Sequence, residues 1–347
     1  MVNRVAIFKR NNEGSGKLRQ KCIQFHTFGP PEKVLQVEQR GISDLHKHDI
    51  LVRMIASPIN PSDLIPVRGS YAHRIPLPNI PGYEGVGIVE QVGSGVRKDY
   101  IGKRVLPLRG EGTWQQYVKT SVHHAVEVPS FIDDYTAAQL YINPVTAFVI
   151  CTETLRLRKG DVIAVNAAGS AIGHIFSQLA NILGFTYIAV VRNSRYTKKL
   201  LELGVSHVID TSVEPLYETV MEITNGKGVD AAIDSIGGQS GTELAFSVRE
   251  NGEFLTLGLL SGVQVDWKDI YTNTKVKPTL FHLRHWNNTV SDEKWQYTFQ
   301  LLIHYINTKQ LVWMKPNSFY HINDIQEAVR YVAANSANKG KVMLLFD

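Results

Sequence analysis

The sequence predicts an α/β protein in which a doubly wound parallel sheet is inserted into a second, mainly β domain. From residue 143 to about residue 284, short apolar runs alternate with stretches of helical periodicity, which is typical of a parallel sheet covered by helices. Before residue 143, and again at the C-terminus, short β-like runs are separated by Gly and Pro instead. The two sequence patterns therefore indicate two domains of different architecture.

The composition is that of a folded protein of ordinary charge. The chain has 347 residues, of which 44% are hydrophobic and 20% are charged, so it is long enough for two domains. Its net charge of +5 is too small to indicate nucleic-acid binding, and no apolar run reaches the length of a membrane span. The two cysteines, Cys22 and Cys151, cannot form a four-thiolate zinc site. We therefore expect neither nucleic acid nor a membrane as a partner.

The start of the chain is basic. Against one acidic residue, Glu13, it carries Arg4, Lys9, Arg10, Lys17 and Arg19. It lacks the apolar segment of a secretory signal, so residues 1–20 are expected to be a basic extension of a cytoplasmic protein. The alternative is a transit peptide, because the segment is poor in acidic residues; the protein would then reside in the mitochondrial matrix.

The first part of the chain contains clear strand patterns at residues 50–55 and 87–93. Between them the chain is interrupted by Pro58, Pro61, Pro66, Pro76, Pro78 and Pro81. Proline restricts φ and lacks a backbone N–H, so the stretch from 58 to 81 is predicted to be an ordered loop with little regular structure.

The second part begins with a continuous apolar strand at residues 162–165, as expected where both faces of a sheet are covered. Apolar residues at helical spacing follow from 172 to 183, and Gly184 is expected to end that helix. Next come a strand at 187–191 and a helix that ends near Gly204. Further strands are predicted at 207–209, 231–234, 254–257 and 279–283.

The last part contains an amphipathic helix that begins after Ser291, a residue suited to cap it. Its apolar face is predicted to comprise Trp295, Phe299, Leu302, Ile303 and Ile306. A final strand at 341–346 is expected to return to the first domain. The predicted organisation is therefore a mainly β domain at 1–142, a parallel-sheet domain at 143–284 and a return to the first domain at 285–347.

Residues 166–173 lie between a predicted strand and a predicted helix, where a dinucleotide-binding fold places its pyrophosphate loop. The strict G-x-G-x-x-G pattern is not met, because Ala168 and Ser170 replace its first two glycines. A tight structural turn is therefore the alternative. The loop residues expected to contact the cofactor are Gly169, Ser170, Ala171, Ile172 and Gly173.

The end of the second strand of this domain distinguishes the two nicotinamide cofactors. An NAD site needs an Asp or Glu there to bind the ribose hydroxyls, and this chain has none. It has Arg192, Asn193 and Arg195 instead, and a guanidinium can pair with a 2′-phosphate. We therefore expect NADPH as the cofactor, with a solvated loop charge as the alternative role of Arg192.

These features resemble the medium-chain dehydrogenase/reductase superfamily, and the likeness covers nearly all of the chain from about Cys22. It rests also on the segments at 81–87, 112–114 and 340–342. Within the superfamily, the segments at 60–63, 69–71 and 143–147 are most similar to the mitochondrial-type 2-enoyl thioester reductases, with zinc-free quinone reductases as the next relatives. The resemblance implies a Rossmann-type sheet inserted into a GroES-like catalytic domain, and a homodimer.

The resemblance also assigns roles to individual residues. Tyr71 would donate a proton to the substrate, as a phenol that stays protonated at neutral pH, and Asn60 would help to place the substrate or the nicotinamide. His282 and Trp286 would line the substrate pocket, although the enoyl reductases tend to have Trp at the place of His282. The further cofactor-binding residues would be Asn143, Thr146, Gly237, Gly258, Phe281, Leu283 and Lys341.

A metal is not expected, because Tyr83 precedes Glu84 where the zinc members of the superfamily place a histidine. The sequence thus leaves three functions to compare. The first is an NADPH-dependent reductase of 2-enoyl thioesters, carried by CoA or acyl carrier protein. The second is an NADPH quinone or enone reductase of the same fold, and the third is an NADPH-binding protein without turnover.

Overall fold

The computed structural model of the chain describes residues 19–335 and 340–346. Residues 1–18 of the predicted basic extension lie outside the described residues. Its last two residues, however, begin the first strand, where Gln20 is buried and its side-chain amide donates to Gln115 at 3.0 Å. The prediction that the extension reaches residue 20 is therefore wrong by these two residues, because Gln20 is part of the folded domain.

The strands follow one another along the chain as β1 (Arg19–Gln24), β2 (Gln36–Gly41), β3 (Asp49–Pro58), β4 (Val86–Val92), β5 (Arg104–Pro107), β6 (Tyr117–Ser121), β7 (Ala125–Glu127), β8 (Val162–Val165), β9 (Thr186–Val191), β10 (His207–Asp210), β11 (Val229–Asp234), β12 (Val248–Thr256), β13 (Lys277–Leu280), β14 (Pro316–His321) and β15 (Lys341–Leu345).

The α-helices are α1 (Pro31–Val34), α2 (Pro61–Val67), α3 (Asp134–Ala137), α4 (Ile142–Val149), α5 (Ala171–Leu183), α6 (Thr197–Glu202), α7 (Leu216–Ile223), α8 (Gly238–Phe246), α9 (Trp267–Asn273), α10 (Leu283–Thr289), α11 (Asp292–Asn307) and α12 (Ile325–Asn335). No described helix combines the length and the apolar character needed to cross a bilayer.

Within the described residues, β3 to β7, β14 and β15 form a seven-stranded mixed sheet. The buried apolar side chains of its central strand, β3, include Ile50, Leu51, Val52, Met54 and Ala56. The last strand, β15, pairs antiparallel with β3, so that Met343 lies opposite Pro58. The end of the chain therefore completes the sheet that residues 49–127 build.

The strands β8 to β13 form a separate parallel sheet in the order β10-β9-β8-β11-β12-β13. This is the strand order of dinucleotide-binding folds. Successive strands are added on one side of β8 up to β10, and then on its other side from β11 onwards. Three of the four residues in the apolar run that predicted β8 are fully buried, since Ile163, Ala164 and Val165 are at most 1% exposed, and Val162 is partly buried. The predicted α/β class with a doubly wound parallel sheet is thus confirmed.

The ends of the helices follow the predicted local chemistry. Gly184 ends α5 with a left-handed φ of 81°, which glycine adopts without strain. Ser291 precedes α11, and its hydroxyl accepts the backbone N–H of Lys294 at 3.2 Å. Both predicted helix boundaries are confirmed.

Two predicted segments differ from the structure. The stretch from 58 to 81 contains helix α2, so the prediction of little regular structure is wrong there. Pro61 is the first residue of α2, where a missing N–H costs nothing, and Asp63 accepts the backbone N–H of Asn60 at 2.7 Å. The strand predicted at 279–283 ends at Leu280, because His282 caps α10 by accepting the backbone N–H of Arg284 at 3.2 Å.

Candidate active site

The predicted cofactor-binding residues that follow the parallel strands lie at one edge of their sheet. The loop at 166–173 follows β8, and Arg192 follows β9. Gly237, Gly258 and Phe281 follow β11, β12 and β13. All of these strands are parallel, so their carboxyl ends share the edge at which open α/β sheets bind their ligands.

The predicted phosphate loop has the tight packing that small residues allow. Ser170 caps α5 by accepting the N–H of Gly173 at 3.3 Å. A Cβ atom on Gly173 would lie 2.2 Å from the carbonyl oxygen of Ala168, and one on Gly169 would lie 2.7 Å from the ring of Tyr196. Ala171, at the start of α5, lines a small crevice together with Asn143 of α4. The N-terminus of α5, which Ser170 caps, is where the negative charge of a pyrophosphate would be favoured.

The segment after β9 also has the groups that a phosphorylated ribose requires. Arg192 is exposed, and Arg195 lies over the ring of Tyr196 with its Cζ 4.8 Å from the ring centre. Asn193 has a buried side-chain oxygen without a hydrogen-bond partner among the described residues. Two guanidinium groups and an unsatisfied acceptor fit a ribose with a 2′-phosphate.

A buried polar network lies between the two sheets and contains Asn60 and Lys341. Lys341 Nζ donates to Asn60 Oδ1, and Asn60 Nδ2 donates to Glu84 Oε1 at 2.7 Å. The other carboxylate oxygen of Glu84 accepts the backbone N–H groups of Tyr141 (3.1 Å) and Ile142 (2.8 Å). Both polar atoms of Asn60 are thus engaged within the protein. The network joins α2, β15 and the start of α4, so Asn60 holds the parts of the site in place.

Asp63 belongs to the same network. Its carboxylate accepts the backbone N–H groups of Asn60 and Tyr83, the latter at 3.1 Å, and it is 1% exposed. Burial and the nearby Glu84 raise the pKa of Asp63 to about 7, against the opposing effects of its two backbone hydrogen bonds and of Lys341. Burial likewise raises the pKa of Glu84 and lowers that of Lys341.

The raised pKa of Asp63 predicts that stability depends on pH. The folded state keeps this proton at pH values at which the unfolded chain has lost it, so stability falls as pH rises from about 4 to about 7. Each pKa unit corresponds to about 1.4 kcal/mol. Between pH 4.5 and 7.5, the free energy of unfolding measured with urea should therefore fall by about 3 kcal/mol more in the wild type than in Asp63→Asn. The exposed Asp99→Asn serves as control; parallel curves for Asp63→Asn and the wild type would contradict the assignment.

Tyr71 lies where the Pro-rich loop meets the start of α10. Its ring centre is 5.9 Å from that of His282, and the guanidinium of Arg74 lies 3.9 Å from the centre of the Tyr71 ring. Both contacts engage the ring of Tyr71, which is half-buried. A phenol from the first part of the chain is thus brought to the carboxyl edge of the parallel sheet, 211 residues away from His282 in sequence.

The predicted pocket residues share one cavity. A cavity of about 290 Å³ is lined by Phe281, His282 and Trp286 together with residues of α4 and of the helical turn after it. Trp286 is held there by a hydrogen bond from its indole nitrogen to Glu153 at 3.2 Å, and its ring stacks on Trp295 with centres 5.8 Å apart. The structure therefore places the two predicted pocket residues side by side.

Sequence reasoning did not single out Asp63, Arg74 or Tyr83. The pKa of Tyr83 is raised to about 12, chiefly by partial desolvation of a residue that is still 43% exposed and then by Asp63, while Arg74, Tyr71 and Arg284 are close enough to influence it. Arg74 touches both Tyr71 and His282. Asp63 and Arg74 each have one partner three residues away, but their contacts with Tyr83 and His282 span 20 and 208 positions, and no local pattern could have revealed those. Among residues 19–335 and 340–346, no three His, Cys, Asp or Glu side chains are grouped so that they could hold a metal ion.

Comparison with known proteins agrees with this geometry. A family model described as a zinc-binding dehydrogenase matches residues 171–296, and one described as an alcohol dehydrogenase GroES-like domain matches residues 46–130. The mitochondrial enoyl-[acyl-carrier-protein] reductase of Dictyostelium discoideum is 30% identical over 302 residues, which cover 84% of this chain and 85% of that protein. The protein of the same name from Xenopus tropicalis is 35% identical over 251 residues, or 70% of this chain and 71% of that protein.

One solved structure is more similar still. It is described as a "putative NADPH:quinone reductase from bacillus thuringiensis", is 61% identical, and superimposes with a TM-score of 0.93 over 95% of this chain and 99% of that one. A dinucleotide-type sheet joined to a GroES-like domain defines a two-domain oxidoreductase. The chain belongs to the medium-chain dehydrogenase/reductase superfamily.

Proposed function

We propose that the protein uses NADPH to reduce the C=C bond of a 2-enoyl thioester, without a metal. The observation that carries this proposal is the position of Tyr71, whose phenol meets the carboxyl edge of the parallel sheet at His282. The names of the Dictyostelium and Xenopus relatives support it. So does the arrangement of the phosphate loop and Arg192, which suits the phosphates of NADPH.

The chemistry divides between the cofactor and the chain. When bound, NADPH supplies a hydride, which adds to the β-carbon of the conjugated C=C bond. Tyr71 then donates a proton to the α-carbon and regains it from water. The Asn60, Glu84 and Lys341 network joins α2, the start of α4 and β15, and so holds the elements around the site together.

The proposal is tested by the decrease in NADPH absorbance with crotonyl-CoA and with a longer 2-enoyl-CoA. Turnover with either substrate supports it. Absence of oxidation at every chain length, with the protein folded and binding NADPH, would rule it out. A homodimer, expected from the family resemblance, remains a prediction.

A second candidate is a quinone or enone reductase, favoured by the description of the Bacillus thuringiensis relative and by His282 in place of Trp. Quinone reduction needs no carbon protonation, so it predicts NADPH oxidation by a quinone that is little changed in Tyr71→Phe. A binding protein without turnover, the third possibility, would show no activity with enoyl-CoA, enone or quinone.

The preference for NADPH over NADH is expected to depend on Arg192. Because NADH lacks the 2′-phosphate with which we expect Arg192 to pair, Arg192→Gln should raise KM for NADPH about tenfold, equal to about 1.4 kcal/mol, and leave KM for NADH unchanged. Steady-state kinetics with both cofactors measure this, with the exposed Arg97→Gln as a control. Equal changes for the two cofactors would remove Arg192 from the phosphate site.

A further inference from the structure

Two hydrogen-bond donors approach the ring nitrogens of His282, but a neutral ring can accept from only one of them. Its Nδ1 accepts the backbone N–H of Arg284 at 3.2 Å, and its Nε2 lies 3.5 Å from Nη2 of Arg74. A neutral imidazole has one lone pair, and a guanidinium nitrogen can only donate. With Nδ1 as the acceptor, Nε2 carries the proton. The two atoms that face each other, Arg74 Nη2 and His282 Nε2, are therefore both donors.

The surroundings keep His282 in this form. Burial lowers the pKa of His282, and the positive charges of Arg74 and Arg284 and the neighbouring His285 lower it further. The ring is neutral at pH 7, so the pair carries the single charge of the guanidinium. An oxygen beside this pair, within hydrogen-bond distance of each nitrogen, would accept from both, and the ring of Tyr71 contacts both partners.

We propose that Arg74 and His282 form the oxyanion-binding pair of the active site, and that their ligand is the carbonyl oxygen of the substrate. The inference rests on the proposed function. When hydride forms the new C–H bond at the β-carbon, the π electrons of the C=C bond move onto this oxygen, and the two donors stabilise the resulting enolate. The electron pair then returns to bond the proton from Tyr71 at the α-carbon. Hydride and proton together complete the reduction, and NADPH is oxidised to NADP⁺.

Two substitutions of His282 separate its two nitrogens. The amide of His282→Gln reaches the Nε2 position and keeps the donor, whereas the amide of His282→Asn reaches only the Nδ1 position and keeps the helix cap. With crotonyl-CoA, we expect kcat to fall about 100-fold in His282→Asn and in Arg74→Met, because each loses one oxyanion donor. His282→Gln should stay within about tenfold of the wild type, and KM for NADPH should not change in any variant. His46→Asn and Arg97→Met, at exposed positions, are the matched controls.

Turnover by the wild type tests the proposed function, and the ratio between the Asn and Gln variants tests the donor pair. Equal rates for these two variants, with an active wild type and unchanged melting temperatures, would overturn the pair and leave the proposed function standing. A rise in KM for NADPH alone would also overturn it, because His282 would then bind the cofactor.

A measurement without substrate tests the pair even if crotonyl-CoA is not reduced. In protein labelled with ¹⁵N-histidine at pH 7, the resonance absent from His282→Gln should show an unprotonated Nδ1 and a protonated Nε2. A protonated Nδ1 would refute the proposal.

Discussion

Replacing Tyr71 with Phe is expected to lower kcat for crotonyl-CoA by about 100-fold or more. General acids contribute about 10²–10⁴-fold to a rate, and Phe cannot donate a proton. The change keeps the ring, so the contacts of Tyr71 with Arg74 and His282 remain. KM for NADPH and the melting temperature should therefore stay at their wild-type values. Stopped-flow absorbance at the NADPH band, with saturating crotonyl-CoA, measures the effect.

Tyr297→Phe is the matched control, because Tyr297 is 52% exposed on α11. A Tyr71→Phe variant with wild-type kcat would remove Tyr71 as the proton donor. The α-carbon would then be protonated by water or by another residue, and the turnover of crotonyl-CoA itself would still support enoyl reduction. A loss confined to enoyl-CoA, with quinone reduction retained, would show that one site performs both reactions and that only carbon protonation requires the phenol.

The parts of the fold that sequence predicted are those that local chemistry determines. The apolar run of β8, the helical spacing of α5 and the left-handed Gly184 each concern only a few neighbouring residues, and the structure has all three. Helix α2 was missed because its prolines were counted as interruptions. Pro61 stands at the first helical position, where it is favoured, and Pro66 lies in the last turn.

The candidate site was predictable only in part, because some of its contacts join residues that are far apart in the sequence. The phosphate loop is a continuous segment, whereas the contact between Arg74 and His282 joins residues 208 positions apart, and that between Asn60 and Lys341 spans 281 positions. The family resemblance assigned a separate role to each of Tyr71, His282 and Lys341. It could not show that the lysine is satisfied by Asn60 inside the protein, because such partners are determined by the packing of the two sheets.

Replacing Lys341 with Met is expected to cost about 3–5 kcal/mol of unfolding free energy, the usual effect of removing one partner of a buried charge network. Lys341 is 7% exposed and is the cation nearest to the buried carboxyl groups of Asp63 and Glu84. Met fills a similar volume, so the loss would reflect the uncompensated carboxylate rather than a cavity. Urea unfolding at pH 7 measures it.

A surface pair provides the control for this experiment. Lys275 pairs with Glu250 at 2.8 Å, and both side chains are about 70% exposed, so Lys275→Met should cost less than about 1 kcal/mol. Adding Glu84→Gln to Lys341→Met removes the stranded charge and should recover part of the lost stability, because a buried carboxylate without its cation is the costly element. If the double variant is instead less stable by the sum of the two single losses, Lys341 and Glu84 act independently. The network would then be a set of separate hydrogen bonds and not a coupled charge pair that holds β15 against the active site.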